Sequence, residues 1–381
     1  MRKKKIKILV QVTPDIIGGA EIFLFNLIKH IDKNKFEIII FSRNRGITIN
    51  MFKKLNVKTI IINTNPSKGM NKLVRILKKM GIDICKTNSF SLTLAAASYI
   101  AEIPHIWRIG GDIRNAIKSF NAKQRNLYLK IIYGISNKIV FPSQFLRKQF
   151  SAKVNKKLLI IHNGVEFNIL KPTQSKHSLF NKNCLNIGMV AHLIPQKRHI
   201  DFIRAANIVR KSLPNVRFFI IGSPYPYNES KIYTANLKKI VDNLKLEKFV
   251  IFTGFIKDIA SAITNLDIIV LPSVNEGSSN VIIEAMSLAK PIIASKSGAN
   301  PEFIQNGING KIVALGNHKR IAKTIVEIAN NRKKAIKLGK AAKKYAKKSF
   351  DIRKTAKEYA RLYEEIHNNK IKSLAPCHTF S

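Results

Sequence analysis

Residues 268–294 read Ile268-Ile269-Val270-Leu271-Pro272-Ser273-Val274-Asn275-Glu276-Gly277-Ser278-Ser279-Asn280-Val281-Ile282-Ile283-Glu284-Ala285-Met286-Ser287-Leu288-Ala289-Lys290-Pro291-Ile292-Ile293-Ala294. The stretch opens on a wholly apolar run, 268–271, of the kind that forms a strand buried on both faces. Ser and Asn then supply the cap chemistry of a helix start, which predicts a helix over 280–288. A second strand is read at 291–294. Strand, helix and strand in this order make a crossover unit of a parallel sheet, so the class is α/β.

The same alternation extends outward in both directions. Upstream in the same half, strands are read at 185–190, 216–221 (ending at Gly222) and 249–252, with a helix at 199–211. From about 318 to 368 the chain reads as helical and rich in Lys. In the first half, strands are read at 6–12, 36–41, 57–62, 82–85, 104–109, 139–141 and 158–161. A turn at Gly18-Gly19 leads to a helix over 20–31, and a helix over 70–80 stops at Gly81. The pattern lapses over 171–183, which is polar and unpatterned and is read as a linker. The expected organisation is an N-terminal Rossmann-like domain over 1–170, the linker, and a C-terminal Rossmann-like domain over 184–349. A C-terminal helix and tail over 350–381 is expected to pack back on the N-terminal domain. Two doubly wound parallel-sheet domains imply a central cleft. Ligands of open α/β sheets bind beyond the carboxyl ends of the strands.

Composition bounds the function. The length, 381 residues, suits two domains, and 45% hydrophobic residues suits a folded chain. Three cysteines, Cys85, Cys184 and Cys377, are far apart and suggest neither a disulfide framework nor zinc. Arg2-Lys3-Lys4-Lys5 precedes too short an apolar run for a signal peptide, and no run approaches the length of a membrane span. A cytoplasmic location follows as the expectation. The formal charge is +45, from 67 Lys and Arg against 22 Asp and Glu. It has three readings: a compositional bias of the whole chain, an anionic membrane surface as partner at the inner face of the cell membrane, and nucleic acid. Nucleic acid is not expected, because no basic stripe interleaved with aromatics stands out in the sequence.

The chemistry lies between strand and helix in the opening stretch. Gly277, Ser278, Ser279 and Asn280 fall where a helix N-terminus forms, which is a ready anion site for a diphosphate. Glu284, farther into the helix, can accept paired hydrogen bonds from a ribose diol, and Glu276 in the loop can accept from sugar hydroxyls. The plain alternative is an ordinary helix with an acidic first turn. The downstream Gly298-Ala299-Asn300-Pro301-Glu302 gives a second helix start. The spacing of Glu276, seven residues and Glu284-Ala285-Met286 resembles the signature of family-4 retaining glycosyltransferases of the GT-B fold. Gly18-Gly19-Ala20-Glu21, Asn163-Gly164-Val165, Gly254-Phe255 and Asn306-Gly307-Ile308-Asn309-Gly310 resemble further family segments in the same order.

The resemblance covers about residues 6–363 and implies roles: the 1–170 domain on the acceptor side and the 184–349 domain binding the nucleotide-sugar. Glu276 would contact donor-sugar hydroxyls and Glu284 the nucleotide ribose. Backbone N–H groups over 278–281, Val281 included, would meet the phosphates. Lys197 would counter the leaving diphosphate, with Arg198 beside it; the plain reading of Lys197 is a solvated surface lysine. Gly19 would allow close approach of the donor, and Phe255 would lie at the base. The chain departs from the family at His192, where Arg is usual, and Arg is permanently charged and bidentate. Arg108 stands where many members carry His. His105, three residues earlier, reads as structural, and Asp112 as an acceptor-side contact. No Asp-x-Asp pair occurs, so neither metal nor cofactor is expected. The reading is a retaining hexosyltransferase that uses a UDP- or GDP-linked sugar and a glycan or lipid-linked saccharide acceptor. A sugar-nucleotide epimerase of the same fold is the alternative.

Overall fold

A computed structural model of the chain describes residues 4–15, 17–62, 69–88, 92–112, 120–150, 156–167, 179–181 and 183–374, with 372–374 by backbone only. The chain divides into two compact units: Met1–Gly164 with Ile352–Ser381, and Val165–Asp351.

The sheet of the first unit contains β1 (Ile6–Gln11), β2 (Phe36–Ser42), β3 (Lys58–Ile61), β4 (Ile84–Thr87), β5 (His105–Arg108), β6 (Lys138–Phe141) and β7 (Leu158–Ile160). Every described pair is parallel, in the order β3-β2-β1-β4-β5-β6-β7. Alternate residues of β1 serve two cores, as a period of two requires. Ile8 and Val10 pack with Phe23, Leu24 and Leu27 of helix Gly19–His30. Leu9 faces the other way, with Leu73 and Leu77 of helix Gly69–Lys79. The first of these cores is completed by helix Ile352–Leu374, through Ile352, Ala356, Tyr359, Leu362, Tyr363 and Ile366.

The second unit repeats the plan with β8 (Leu185–Val190), β9 (Val216–Ile221), β10 (Val250–Gly254), β11 (Ile268–Leu271), β12 (Ile292–Ser295) and β13 (Lys311–Val313). These strands are also parallel, in the order β10-β9-β8-β11-β12-β13. Ile187 and Met189 of β8 pack with Phe202, Ile203 and Ala206 of helix His199–Ser212. The strand order turns back between β8 and β11, and a parallel α/β sheet binds its ligand beyond that switch point.

Some elements differ from the sequence reading. The strand expected at 82–85 is β4, which starts two residues later. The preceding helix closes first, with Gly81 at φ +60 and its N–H on Lys78 O, and with Ile82 N–H on Leu77 O. The strand expected at 249–252 runs on to Gly254, with a register shift between Phe252 and Gly254. The helical region after 318 is three helices, His318–Ala329, Arg332–Ser349 and Ile352–Leu374, broken at side-chain caps and at Phe350-Asp351. Three residues are too few to show a period, and β13 went unread. The units part at 164/165 and 351/352, outside the 171–183 stretch. The parting is pinned where Val165 N–H donates to Phe350 O at 2.8 Å and Val165 bridges Asp351. Of the 171–183 stretch, residues 171–178 and 182 lie outside the described residues. No described helix is long and apolar enough to cross a membrane.

Candidate active site

Two loops leave the switch point of the second unit side by side. The first follows β8. Ala191 N–H bonds Ile221 O at 3.0 Å, and Leu193 N–H bonds Ser223 O at 3.2 Å, so the loop stays on the β9 exit. Gly222 allows this approach, because a Cβ there would lie 2.1 Å from Ala191 O. His192 is half-buried, with its ring 4.5 Å from that of Tyr225. A single 3-10 turn, Pro195–Lys197, then projects Lys197. Arg198 takes a left-handed φ of 55° and starts helix His199–Ser212. Its guanidinium is bidentate on the buried Asp201, Nε to Oδ2 at 2.5 Å and Nη2 to Oδ1 at 3.2 Å. The expected phosphate ligand Arg198 is thus already engaged. His199 behind it is fully buried, and desolvation pushes its pKa down to about 3, which keeps the ring neutral.

The second loop follows β11 and is held on both sides. Val274 N–H donates to Gln196 O at 2.9 Å, and Gln196 Nε2 donates to Asn275 O at 3.3 Å. From the β12 side, Ser297 Oγ accepts Asn275 N–H at 2.9 Å, and Ala299 N–H donates to Glu276 O at 2.8 Å. Gly298 lies flat against the same peptide: a Cβ would come within 2.4 Å of both Glu276 N and O. This clamp fixes where the Glu276 side chain starts. Its carboxylate then meets Lys197 Nζ at 2.5 Å, with both side chains mostly shielded.

Gly277 and Ser278 lead to Ser279, the N-cap of helix Asn280–Ser287, whose Oγ accepts Ile282 N–H at 3.4 Å. The helix therefore starts where Ser and Asn predict it, and its positive end lies beside the Lys197–Glu276 pair. Ser278 Oγ is buried without a described partner. Val281 and Glu284 follow on the helix. Glu284 is half-buried, and no described group hydrogen-bonds its carboxylate. Desolvation pushes its pKa up to about 7. An unpartnered carboxylate in a partly dry place costs stability unless something donates to it.

Lys197 and Glu276 thus touch, and His192, Arg198, residues 277–281 and Glu284 share the exits of two neighbouring strands. Phe255 stands apart at the end of β10, two strands from β8. Its ring is 73% exposed after a left-handed Gly254, φ +71. Gly19 opens the first helix of the other unit, where Gly18 N–H donates to Glu21 Oε2 at 3.1 Å. In that unit His105 is fully buried between Thr87 Oγ1 (2.8 Å) and Ser136 Oγ (3.1 Å), with its pKa lowered to about 3 by burial. Arg108 is buried too, 4.4 Å from the Phe23 ring, and donates to Asn88 Oδ1 at 3.3 Å and Asn163 Oδ1 at 2.6 Å. Asp112 is also buried. Among the described residues no group of three or more His, Cys, Asp or Glu could hold a metal ion. Sequence reading missed the Ser297–Ala299 clamp and Gln196. Its one available signal was Gly298, a glycine that a helix start alone does not require.

The chain matches two family models end to end: Glycosyltransferase Family 4 over residues 17–168 and Glycosyl transferases group 1 over residues 171–345. The chain belongs to glycosyltransferase family 4. An uncharacterized glycosyltransferase of Methanocaldococcus jannaschii is 24% identical over 346 residues, 87% of this chain and 90% of that protein. The UDP-Gal:alpha-D-GlcNAc-diphosphoundecaprenol alpha-1,3-galactosyltransferase of Escherichia coli is 24% identical over 86% of this chain and 89% of its own. Among solved structures, Anabaena HepE in complex with UDP and glucose superposes with a TM-score of 0.84 at 20% identity, over 94% of this chain and 99% of that one. The fold of this family-4 glycosyltransferase is GT-B, and its two units are the two parallel-sheet domains of that fold.

Proposed function

We propose that the chain transfers a hexosyl group, with retention at the anomeric carbon, from a UDP- or GDP-linked sugar to a lipid-linked saccharide at the inner face of the cell membrane, in cell-surface polysaccharide synthesis. The observation that carries the donor half is Glu284. A half-buried carboxylate without a partner, held near neutrality by desolvation, sits behind a helix N-terminus and a lysine. A nucleoside diphosphate complements all three: its ribose diol donates to Glu284, and its phosphates meet the helix N-terminus and Lys197.

In this reading Lys197 divides its charge between Glu276 and the leaving diphosphate. As the bond from C1 to the phosphate oxygen breaks, negative charge grows on that oxygen, and Lys197 together with the N–H groups over 278–281 stabilises it. The acceptor hydroxyl attacks on the same face and gives its proton to the departing phosphate. Glu276 orients the sugar through its hydroxyls and forms no bond to carbon. The lipid-linked acceptor is supported by the E. coli relative, whose name puts a diphosphoundecaprenol on its acceptor.

The test is a panel of UDP- and GDP-sugars, scored by the rise in melting temperature each produces and by transfer to a polyprenyl-diphosphate saccharide. One donor should raise the melting temperature of the native chain and leave Glu284→Ala unmoved. Full transfer by Glu284→Ala would overturn the site. An epimerised nucleotide sugar formed without acceptor would replace transfer with the other reading.

A further inference from the structure

The 67 cations are spread along the sequence, but the fold lines up one group of them. Nine of the 18 residues of helix Arg332–Ser349 are Lys or Arg and none is Asp or Glu. That share, one half, is close to three times the 67 of 381 in the whole chain, so a uniform bias does not account for it. The helix buries Leu338, Gly339, Ala342 and Ala346 on one side. Lys333, Lys337, Lys340, Lys344 and Lys347 lie on the opposite side, and all five are exposed. At 3.6 residues per turn they fall within an arc of about 80° and run for about 21 Å. None of the five makes an ion pair among the described residues. By contrast, the following helix, Ile352–Leu374, mixes its cations with Glu358, Glu364 and Glu365.

Stacked like charges three and four residues apart weaken a helix of their own accord. An anionic plane would relieve that repulsion along the whole row. We propose that this stripe docks the second unit on an anionic phospholipid surface, the lysines against headgroup phosphates, with the exposed Ile336 at the edge of the contact. The row is straight, and the one aromatic of the helix, Tyr345, is half-buried and donates its hydroxyl to Glu302 O at 3.3 Å. The stripe thus offers headgroups a row of charges and offers bases nothing to stack on, which favours lipid over single-stranded nucleic acid. The proposal rests on the lipid-linked acceptor read above and names the surface that brings the enzyme to it.

The experiment is flotation of the full chain with vesicles of phosphatidylcholine alone, and of phosphatidylcholine and phosphatidylglycerol in equal parts, across a salt series. Binding is expected with phosphatidylglycerol only and should fade as the Debye length shrinks below about 8 Å. The quadruple variant Lys337→Gln, Lys340→Gln, Lys344→Gln, Lys347→Gln should lower that binding by roughly a thousandfold. Its transfer to a water-soluble acceptor should stay at the native rate, so a failure of the transferase reading shows separately. Equal binding to neutral vesicles, or undiminished binding by the quadruple variant, overturns the proposal. So does loss of binding in Leu127→Glu/Ile131→Glu with retention in the lysine variant, because Leu127 and Ile131 form an exposed apolar pair beside Lys123 and Lys130 on a helix of the first unit. Tighter binding to a single-stranded oligonucleotide than to the anionic vesicles at the same salt overturns it as well.

Discussion

At Glu284 the demands of folding and of the proposed nucleotide binding oppose each other. Burial lifts its pKa from an ordinary 4.5 to about 7. Between these values the folded chain holds a proton that the unfolded chain has released, so stability falls as pH rises from about 4.5 to 7 and the full penalty is present above 7. Glu284→Gln is therefore expected to be more stable than the native chain at pH 8, by on the order of 3 kcal/mol, and level with it at pH 4. It should also lose the stabilisation that UDP or GDP gives. A melting series over pH, with and without nucleotide, reads both. Lys197 and Glu276 call for a different argument, because here each charge shields the other. Lys197→Met leaves Glu276 without its cation and should cost on the order of 1 to 2 kcal/mol, with at least a hundredfold loss of transfer rate. Lys197→Met/Glu276→Gln should recover most of the stability and none of the rate. Thermal melting and initial rates on the four proteins of the cycle measure this, and equal destabilisation in single and double variants would refute the pairing. The spacing of the two glutamates was legible in the sequence, because eight positions place one in the loop and the other in the helix. The Lys197–Glu276 contact was not, because 79 residues separate the partners and only the strand order β8-β11 brings them together.

Among elements, the strands were the most legible, since runs such as 185–190 and 268–271 are apolar enough to be buried on both faces. Short or polar elements were not: β13 has three residues, and helix Asn228–Asn243 buries only Ser230, Leu237 and Val241. What joins elements was least visible. The turn after β12 reads as a helix start, yet its Gly298 spaces that turn against the Glu276 peptide. Two substitutions separate conformation from contact. Gly298 and Gly307 both hold a positive φ, +60 and +83. A Cβ at Gly307 meets nothing within 4 Å, whereas at Gly298 it lies 2.4 Å from backbone atoms. Gly307→Ala should therefore cost about 1 kcal/mol, the left-handed term alone. Gly298→Ala should cost about 3 kcal/mol or more and raise KM for the donor severalfold, because Glu276 is displaced. Melting and donor-saturation curves for the two variants check this. Equal losses would mean that the clamp on Glu276 is not tight. A third glycine works between helices: Gly339 lets helix Arg332–Ser349 approach Ala289 at the end of helix Asn280–Ser287, where a Cβ would sit 1.9 Å from Ala289 O. The cationic helix is thereby packed directly on the helix that carries Glu284.

For the molecule as a whole, the alternation of strands and helices was enough to read two parallel-sheet units, because each half repeats the crossover pattern independently of the other. Where they part is set by long-range pairing, not by local polarity. The chain enters the second unit at Val165 and leaves it at Asp351, and these residues are bridged to each other. The last helix consequently belongs to the first unit. Its six side chains in that core, Ile352, Ala356, Tyr359, Leu362, Tyr363 and Ile366, cover the face of the sheet that holds Ile8, Val10 and Ile84. Lys86, fully buried on β4, depends on it most directly. Its Nζ donates to Tyr363 Oη at 3.2 Å and lies 4.0 Å from the centre of the Tyr359 ring. Burial and the neighbouring Arg108 hold its pKa well below the usual lysine range. At roughly 1.5 to 3 kcal/mol for each large apolar side chain, the helix contributes about 10 kcal/mol, comparable to the whole stability of a domain. Removing residues 352–381 is therefore expected to unfold the first unit and leave the second folded. Hydrogen exchange should then show lost protection in β1, β4 and helix Gly19–His30, with β8, β11 and helix Asn280–Ser287 protected as before. The nucleotide should still raise the melting temperature of the remaining transition if Glu284 and the helix N-terminus carry its binding, while sugar transfer should vanish with the first unit unfolded. Unchanged protection in β1 and β4 after the truncation would show that the sheet of the first unit does not need its last helix.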